Sequence, residues 1–566
     1  MRLTPLAKGL LTLLILGILF LVLWHLGLKE MVMARLGQVP AASPPAAPVP
    51  TPKAEAKPPS GGLAALLGGK KSPGPLGSAA NPLKVSIVSF HGYAPALLAN
   101  GKSLTTQPGS LFAQNGVQVR FLLQDDIPTL ATLFESGTAH CAWRTSDFWA
   151  QEHPNLRNAG LDGRAIMVVD NTQGADAVIA RDPAIRRIED LAGHSVALLQ
   201  YTPSHGMLID AIDNSSLTAR AKQSIRMVFI NADEGTAGVR AALEGGSVDA
   251  AVLWDPDLSL ALKNVPGAHV IYSTKIATNL IYDVIVCDSR VLDQADNQAA
   301  IQGLVKGWMA GVEAARADPD AAVDALVQTE EFFALLAKQQ GRDFIKGLFA
   351  NLVWTGLEDN ARILGLAGGP NYYEQVYKRF DQIYRRLGAL ANPNSPVIDP
   401  QHSFDYRYIK ALLAENRQAL AAAARPQFRF SVQERQQVAR KAPVLTKPVL
   451  VGFQSGSAHL TKRAQRTIDE EMVPFIEANG SAYFVVSGNT DSTGARELNL
   501  RLSRQRAQAV VDYLVNEWEF PRERFVIEGN GPDKPLCDER RPDQAGLSLE
   551  ECRALNRTTR VAVLQR

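Results

Sequence analysis

SGNTDSTGARELNLRLSRQRAQAVVDYL, residues 487–514, closes a strand, turns, and becomes a helix. Positions 499, 502, 503, 506, 510 and 514 fall on one broad helical face, because residues three, four and seven apart align. Leu502, Val510 and Leu514 supply an apolar stripe for packing on a sheet. Asn499 and Arg506 lie at its edge. Gly494 and the preceding Asn-Thr-Asp suit a tight turn. Spacing alone leaves two readings: Asp491 and Arg506 as a helix-start acid and a solvated base, or as a working pair. Around this stretch the order is VLVGF, LTKRAQRTIDEEMVPFIEA, AYFVVSG, the quoted helix, RFVIEG, a loop with Cys537 and Cys552, and TTRVAVLQ. Strand, helix, strand, helix, strand, loop, strand predicts a small α/β domain over 448–566.

The chain has 566 residues, enough for two to four domains. It is 46% hydrophobic and 20% charged, with formal net charge +2. No basic stripe interleaved with aromatics calls for nucleic acid. GLLTLLILGILFLVLWHLGL, residues 9–28, is long enough to span a bilayer. Arg2 and Lys8 precede it, which predicts a cytoplasmic tail at 1–8 and export of the remainder. The run is longer than a signal-peptide core, and GLKEMVMARLG is a poor cleavage site, so it reads as an uncleaved anchor. No acid or base interrupts it, as one would in an ion-conducting helix. His25 lies near its outer end. Residues 37–82, rich in Pro, Ala and Gly, form an extended linker. GGKKS within it lacks the Ser or Thr and the flanking strand of a phosphate loop.

From Leu83 strands and helices alternate. KVSIVSF, VQVRFLL, AIMVVD, ADAVIA, SVALLQ, IRMVFIN, DAAVLW and YDVIVCD read as strands. The alternation predicts mainly parallel sheets. Residues 302–424 are mostly helical, ending a domain that spans 83–425, and 426–447 read as a second linker. In an exported chain, Cys537 and Cys552 are expected to form a disulfide. Cys141 and Cys287 either pair or remain buried thiols. No HExxH, GxSxG or metal-spaced Cys/His cluster occurs, so neither an enzyme, a metal site nor a cofactor is expected.

The last domain resembles the OmpA-like peptidoglycan-binding domain. The resemblance rests on Gly-Asn-Thr-Asp-x-x-Gly at 488–494, Asn499-x-x-Leu502-Ser503-x-x-Arg506-Ala507, Tyr513-Leu514, Gly529-x-Gly531 with Pro535, and Asn556-Arg557. It implies that Asp491 and Arg506 grip the zwitterionic end of diaminopimelate in the peptidoglycan stem peptide, helped by Asn499 and Thr490. A carboxylate suits the ammonium, and a guanidinium fork suits the carboxylate. Two positions depart from the family: Asn489 stands where His is frequent, and Thr558 where a second Arg is frequent. The Cys537/Cys552 loop resembles one that some members close with a disulfide.

Residues 83–400 resemble the type 2 periplasmic solute-binding proteins, in the branch for nitrate, sulfonates, taurine and thiamine-precursor pyrimidines. KVSIVSFHGYAPALLA at 84–99, LFESGTAHCAWRTSDFW at 133–149, GADAVIA at 174–180, IEDLAGHSVALLQYTPSH at 188–205 and ALEGGSVDAAVLWDPD at 242–257 carry it. It implies two α/β lobes with a ligand cleft between them. Ligands bind beyond the carboxyl ends of strands in such sheets. That selects Phe90, His91, Gly92, Tyr93, Thr145, Ser146, Asp147, Thr172, Thr202, Ser204, His205, Trp254 and Asp255. The helix starting near Pro203 would receive an anion, or Thr202 and Ser204 merely cap it. Asp147 and Asp255 would meet an amine or amidine, or form surface salt bridges. The ligand's charge stays open.

Together these readings describe a single-pass inner-membrane protein with its bulk in the periplasm. Its expected partners are peptidoglycan, a small solute and a membrane protein complex, with the solute domain acting as transport receptor or sensor. The alternative is a trans-envelope spacer or docking module without a ligand. An ion-driven stator subunit of the MotB type pairs one span with the same last domain, but lacks the solute-binding insert and needs an intramembrane acid.

Overall fold

The computed structural model describes residues 74–454 and 456–566. The expected cytoplasmic tail, the anchor Gly9–Leu28 and the first linker as far as residue 73 lie outside the described residues. Among the described residues, no helix is long and apolar enough to cross a membrane. The chain divides into Met1–Ser72 and Pro73–Arg566, and the described residues belong to the second unit.

The strands are β1 (Leu83–Ile87), β2 (Val119–Leu123), β3 (Cys141–Thr145), β4 (Gly163–Thr172) and β5 (Asp176–Ala180). They continue as β6 (Ser195–Leu199), β7 (Arg226–Ile230), β8 (Ala250–Trp254), β9 (His269–Ser273), β10 (Tyr282–Asp288) and β11 (Leu352–Trp354). The last four are β12 (Leu445–Val449), β13 (Tyr483–Asn489), β14 (Phe525–Gly531) and β15 (Thr559–Leu564). Three sheets result, ordered β11-β4-β10-β3-β1-β2, β7-β6-β8-β5-β9 and β12-β15-β13-β14.

The first two sheets are the two lobes. The chain crosses from one to the other between β4 and β5 and returns between β9 and β10. These crossings correct the expectation of mainly parallel sheets. β1 runs parallel to β2 and β3, and β6 to β7 and β8. β10, however, is antiparallel to β3 and β4, and β5 to β8 and β9. A strand that comes back from the other lobe enters its sheet from the opposite end. β3, β4, β5, β8 and β10 bury nearly every residue, as strands covered on both faces do. Cys141 and Cys287 face each other in the β3–β10 ladder and are disulfide-bonded. Cys537 and Cys552 are also bonded.

In the C-terminal sheet, helix Arg496–Trp518 lies across β13 and β14. The buried face is Ser503, Ala507, Val510, Val511 and Leu514, rotated from the expected stripe so that Leu502 is only half-buried. Small residues permit a close approach. A Cβ on Gly488 would stand 1.9 Å from the carbonyl oxygen of Ser503. Gly488, inside β13, is therefore a packing requirement of the opening stretch.

The stretch 426–447 carries packed structure. Helix Val432–Val438 sets Val438 against Tyr483 and Leu564, and Glu434 accepts a 2.7 Å bond from the Tyr483 hydroxyl. β12 begins at Leu445 and includes Pro448, four residues earlier than VLVGF suggests. Its place at the sheet edge tolerates the proline. The same edge touches the second lobe: the Thr446 N–H donates to Glu189 at 2.9 Å, and Lys447 to Asn214 at 2.9 Å. The crossing between β9 and β10 meets the end of helix Val473–Ala478, where the Ser481 hydroxyl donates to the Lys275 carbonyl at 2.8 Å.

Candidate functional site

A cleft of about 330 Å³ opens between the lobes. Its walls come from the carboxyl ends of strands, as open α/β sheets arrange. β1 leads to Val88, Ser89 and Phe90, β3 ends at Thr145, β6 leads to Leu199 and Thr202, and β8 ends at Trp254. The floor is made where the chain changes lobe. Thr172 and Asp176 stand at one crossing, Ile281 and Asp283 at the other.

Asp283 is 3% exposed. One of its oxygens accepts from the Tyr93 hydroxyl and from the Trp143 indole N–H, both at 2.7 Å. Burial pushes its carboxyl up to about 7, against the pull of those two donors. Asp176 is 4% exposed. Burial raises it well above the ordinary range against the pull of the neighbouring Thr172 hydroxyl, and Asp283, Asp147 and Asp255 add to the rise by charge. Asp170, behind Gly92, is raised by burial and by Asp283 and Asp176. The Thr172 hydroxyl, 2% exposed, is beside Asp176 and makes no full hydrogen bond among the described residues.

The structure distributes the expected solute-site residues unevenly. Phe90, Thr145, Thr172, Thr202 and Trp254 line the cleft. Tyr93 stands behind it and holds Asp283. Gly92 sits where a Cβ would meet Asp170 Oδ2 at 2.1 Å, which explains the glycine by packing. His91 is fully buried beside Phe349, kept neutral with its pKa lowered to about 3 by burial. The Ser146 hydroxyl accepts from the Tyr282 N–H at 3.3 Å. Asp147 is buried in the first turn of helix Ser146–Asn158 rather than on a salt-bridged surface. Asp255 takes bonds from Ser259 and Asn351 and so is saturated by its own surroundings. Thr202 does not cap helix Pro203–Asp213 with its side chain; its hydroxyl donates to the Leu199 carbonyl at 2.8 Å. The Ser204 hydroxyl is buried without a partner, and His205 accepts from the Tyr201 N–H. Asp176, Asp283 and Trp143 were missed by sequence reasoning. Each lies at a strand end or crossing, a position that becomes legible only once the lobe change is known.

In the C-terminal domain, Asp491 and Arg506 do not bond to each other. Asp491 accepts from the Thr493 N–H at 3.0 Å and from Arg557 at 2.7 Å. Arg506 donates to the carbonyls of Ser457 at 3.0 Å and Gln454 at 3.2 Å, and its guanidinium lies 5.0 Å from the Phe453 ring centroid. Partial burial without a carboxylate lowers its pKa. Asn499 donates to the Thr493 carbonyl at 2.9 Å, bracing the turn. The Thr490 hydroxyl donates to the Asp491 carbonyl at 3.0 Å. Arg557, part of the Asn556-Arg557 motif, joins this group as a residue that sequence reasoning quoted without a role.

Residues 452–546 match the model of the OmpA family. This part is 32% identical over 120 residues to the probable lipoprotein YiaD of Escherichia coli, covering 21% of this chain and 50% of that protein. It is 34% identical over 85 residues to the peptidoglycan-associated lipoprotein of Pseudomonas putida, covering 15% and 49%. The chain thus spans about half the length of these two curated relatives. Among solved structures, the periplasmic aliphatic sulphonate binding protein SsuA of Escherichia coli aligns with 57% of this chain and 92% of its own. Its identity is 17% and its TM-score 0.43. The class is a two-lobed α/β part joined to an OmpA-like domain.

Proposed function

We propose that this is a cell-envelope protein that holds peptidoglycan through its C-terminal domain and captures a small solute between its lobes. Residues 9–28 would anchor it in the inner membrane, with the bulk in the periplasm. The observation that carries the wall-binding reading is Arg506. Its guanidinium is half-buried, oriented by two backbone carbonyls and the Phe453 ring, and has no carboxylate partner among the described residues. A guanidinium so held offers its remaining N–H groups to a carboxylate ligand. Asp491, braced by Arg557 and the 493 N–H, supplies the negative counterpart for an ammonium. The name of the Pseudomonas putida relative points the same way. The solute reading rests on the cleft, whose aromatic rings and inward polar groups suit a small molecule.

Co-sedimentation of the full chain with purified peptidoglycan sacculi tests the first part. Asp491→Ala and Arg506→Ala should each remove most of the sedimenting fraction. Full sedimentation of both variants would rule out the assignment.

A further inference from the structure

The cleft is walled by carboxylates and rings, and its ligand's charge follows from what is missing between them. No lysine, arginine or histidine lines it among the described residues. Most of the lining acids are already satisfied. Asp257 takes bonds from Thr236 and Arg240, Asp125 from Ser89, and Asp126 from the Thr129 N–H. Asp176 is the exception, buried in the cleft wall with the Thr172 hydroxyl as its neighbouring donor and no cationic partner among the described residues. Asp283 has one oxygen engaged and the other free of any donor. A buried carboxylate without a donor is costly, and a bound cation with N–H groups removes that cost. The aromatic walls come from both lobes, Trp143 and Phe90 from one, Trp254 from the other. Ring faces attract organic cations.

We propose that the cleft takes a small organic cation bearing N–H donors, an amine or amidinium. Asp176 and Asp283 bind its charged end, and Trp143 and Trp254 wall its body. This rests on the solute-binding reading above and narrows it. A bare metal ion fits less well: no group of three His, Cys, Asp or Glu able to hold one occurs among the described residues. An anion fits less well too. Helix Pro203–Asp213 begins with a proline that has no N–H to offer, the N-terminus of Gly235–Glu244 is preceded by the lining acids Asp233 and Glu234, and that of Ile127–Glu135 by Asp126. The Thr202 hydroxyl is already spent on Leu199.

The test is the melting point of the full chain in detergent with each of putrescine, agmatine, benzamidine, taurine, ethanesulfonate and nitrate. At saturating concentration a ligand of the native state raises Tm, here by about 2–4 °C. The expected result is a rise with one or more of the three cations, and none with ethanesulfonate or nitrate. Asp176→Asn should lower the cation's affinity at least about tenfold, the loss of one charged hydrogen bond. Trp254→Leu should weaken it independently, which covers the case of an Asp176 variant that fails to fold. A rise with the sulfonates or nitrate alone overturns the cation assignment and leaves a solute receptor. A cation effect unchanged in both variants also overturns it. No rise with any of the six overturns it together with the solute-binding reading.

Discussion

Asn279, on the segment that returns from the second lobe to the first, donates its side-chain N–H to the Glu477 carbonyl of the C-terminal domain at 2.7 Å. Its backbone N–H donates to Ala478 at 3.1 Å, and its side-chain oxygen accepts from the Tyr282 hydroxyl at 2.9 Å. The C-terminal domain thus rests on the crossing whose far end carries Asp283. Gly480 sits in this contact, where a Cβ would stand 2.6 Å from the Thr278 hydroxyl and 3.0 Å from the Asn279 amide.

Gly480→Val should therefore prise the two parts apart while leaving each folded. Limited proteolysis is the measurement: cleavage within 426–444, slow in the wild type, should become fast. Asn279→Ala should act more mildly, lowering stability by about 1–3 kcal/mol through the unpaired carbonyl it leaves. Unchanged cleavage in Gly480→Val would mean that the contact does not hold the domains together.

Arg557 links Asp491 to the helix that precedes β15, and also pairs with Glu550 at 2.7 Å. It positions the carboxylate and does not itself face the role assigned to Arg506. Arg557→Ala should weaken sacculus binding by a smaller factor than Arg506→Ala, whose loss should exceed about tenfold. Arg557→Lys should recover part of the loss, because it restores one charge contact to Asp491. Equal loss in Arg506→Ala and Arg557→Ala would place both residues in direct contact with the wall peptide.

The disulfide Cys537–Cys552 closes a loop whose members reach the same turn. Asn556 accepts from the N–H groups of Leu536 and Cys537 and donates to Glu539. Glu539 in turn takes the N–H and hydroxyl of Ser492, next to Asp491. Removing the bond by Cys537→Ser with Cys552→Ser should cost about 3 kcal/mol, the loop-closure entropy for a separation near the observed 15 residues. Sacculus binding should fall as well, since the Ser492 anchor loosens. Hydrogen exchange at residues 490–494 measures this; unchanged protection there would separate the disulfide from the site.

How far the sequence carried the reading differs by element. The eight strand runs in the middle of the chain are dense in Val, Ile and Ala and were readable as strands. β11, three residues long, carries too little pattern to be read, and β9 is hidden in a short mixed run, HVIYS. Asp491, Arg506 and Asn499 were readable because a spaced motif brings them together. Asp176 was not, because its neighbours look like any strand start, and only the lobe crossing turns it into cleft floor. Asp255 is the opposite case. It follows a strand end, but Ser259 four residues on and Asn351 from a distant segment satisfy it. Neither partner is marked in sequence.

Asp147 offers a pH signature that does not depend on any ligand. It is fully buried, and burial pushes its carboxyl from an ordinary value of 3.8 to about 7. The Thr145 hydroxyl and the N–H groups of residues 147 and 148 pull the other way, too weakly to offset burial, while Asp283 adds to the rise. In the unfolded chain the same group ionises near 3.8. Between these two values the folded state holds a proton that the unfolded state has released. Stability therefore falls as pH rises through this window, and the whole penalty is present above about 7. Asp147→Asn removes it. The variant should match the wild type near pH 4 and exceed it increasingly toward pH 8, by on the order of a few kcal/mol. His91 and His205, whose pKa values lie near 3 and 4 through burial, change stability in the opposite sense but equally in both proteins. The difference between the two denaturation curves therefore isolates Asp147. A difference that stays flat from pH 4.5 to 8 would show that the carboxylate is ionised in the native state.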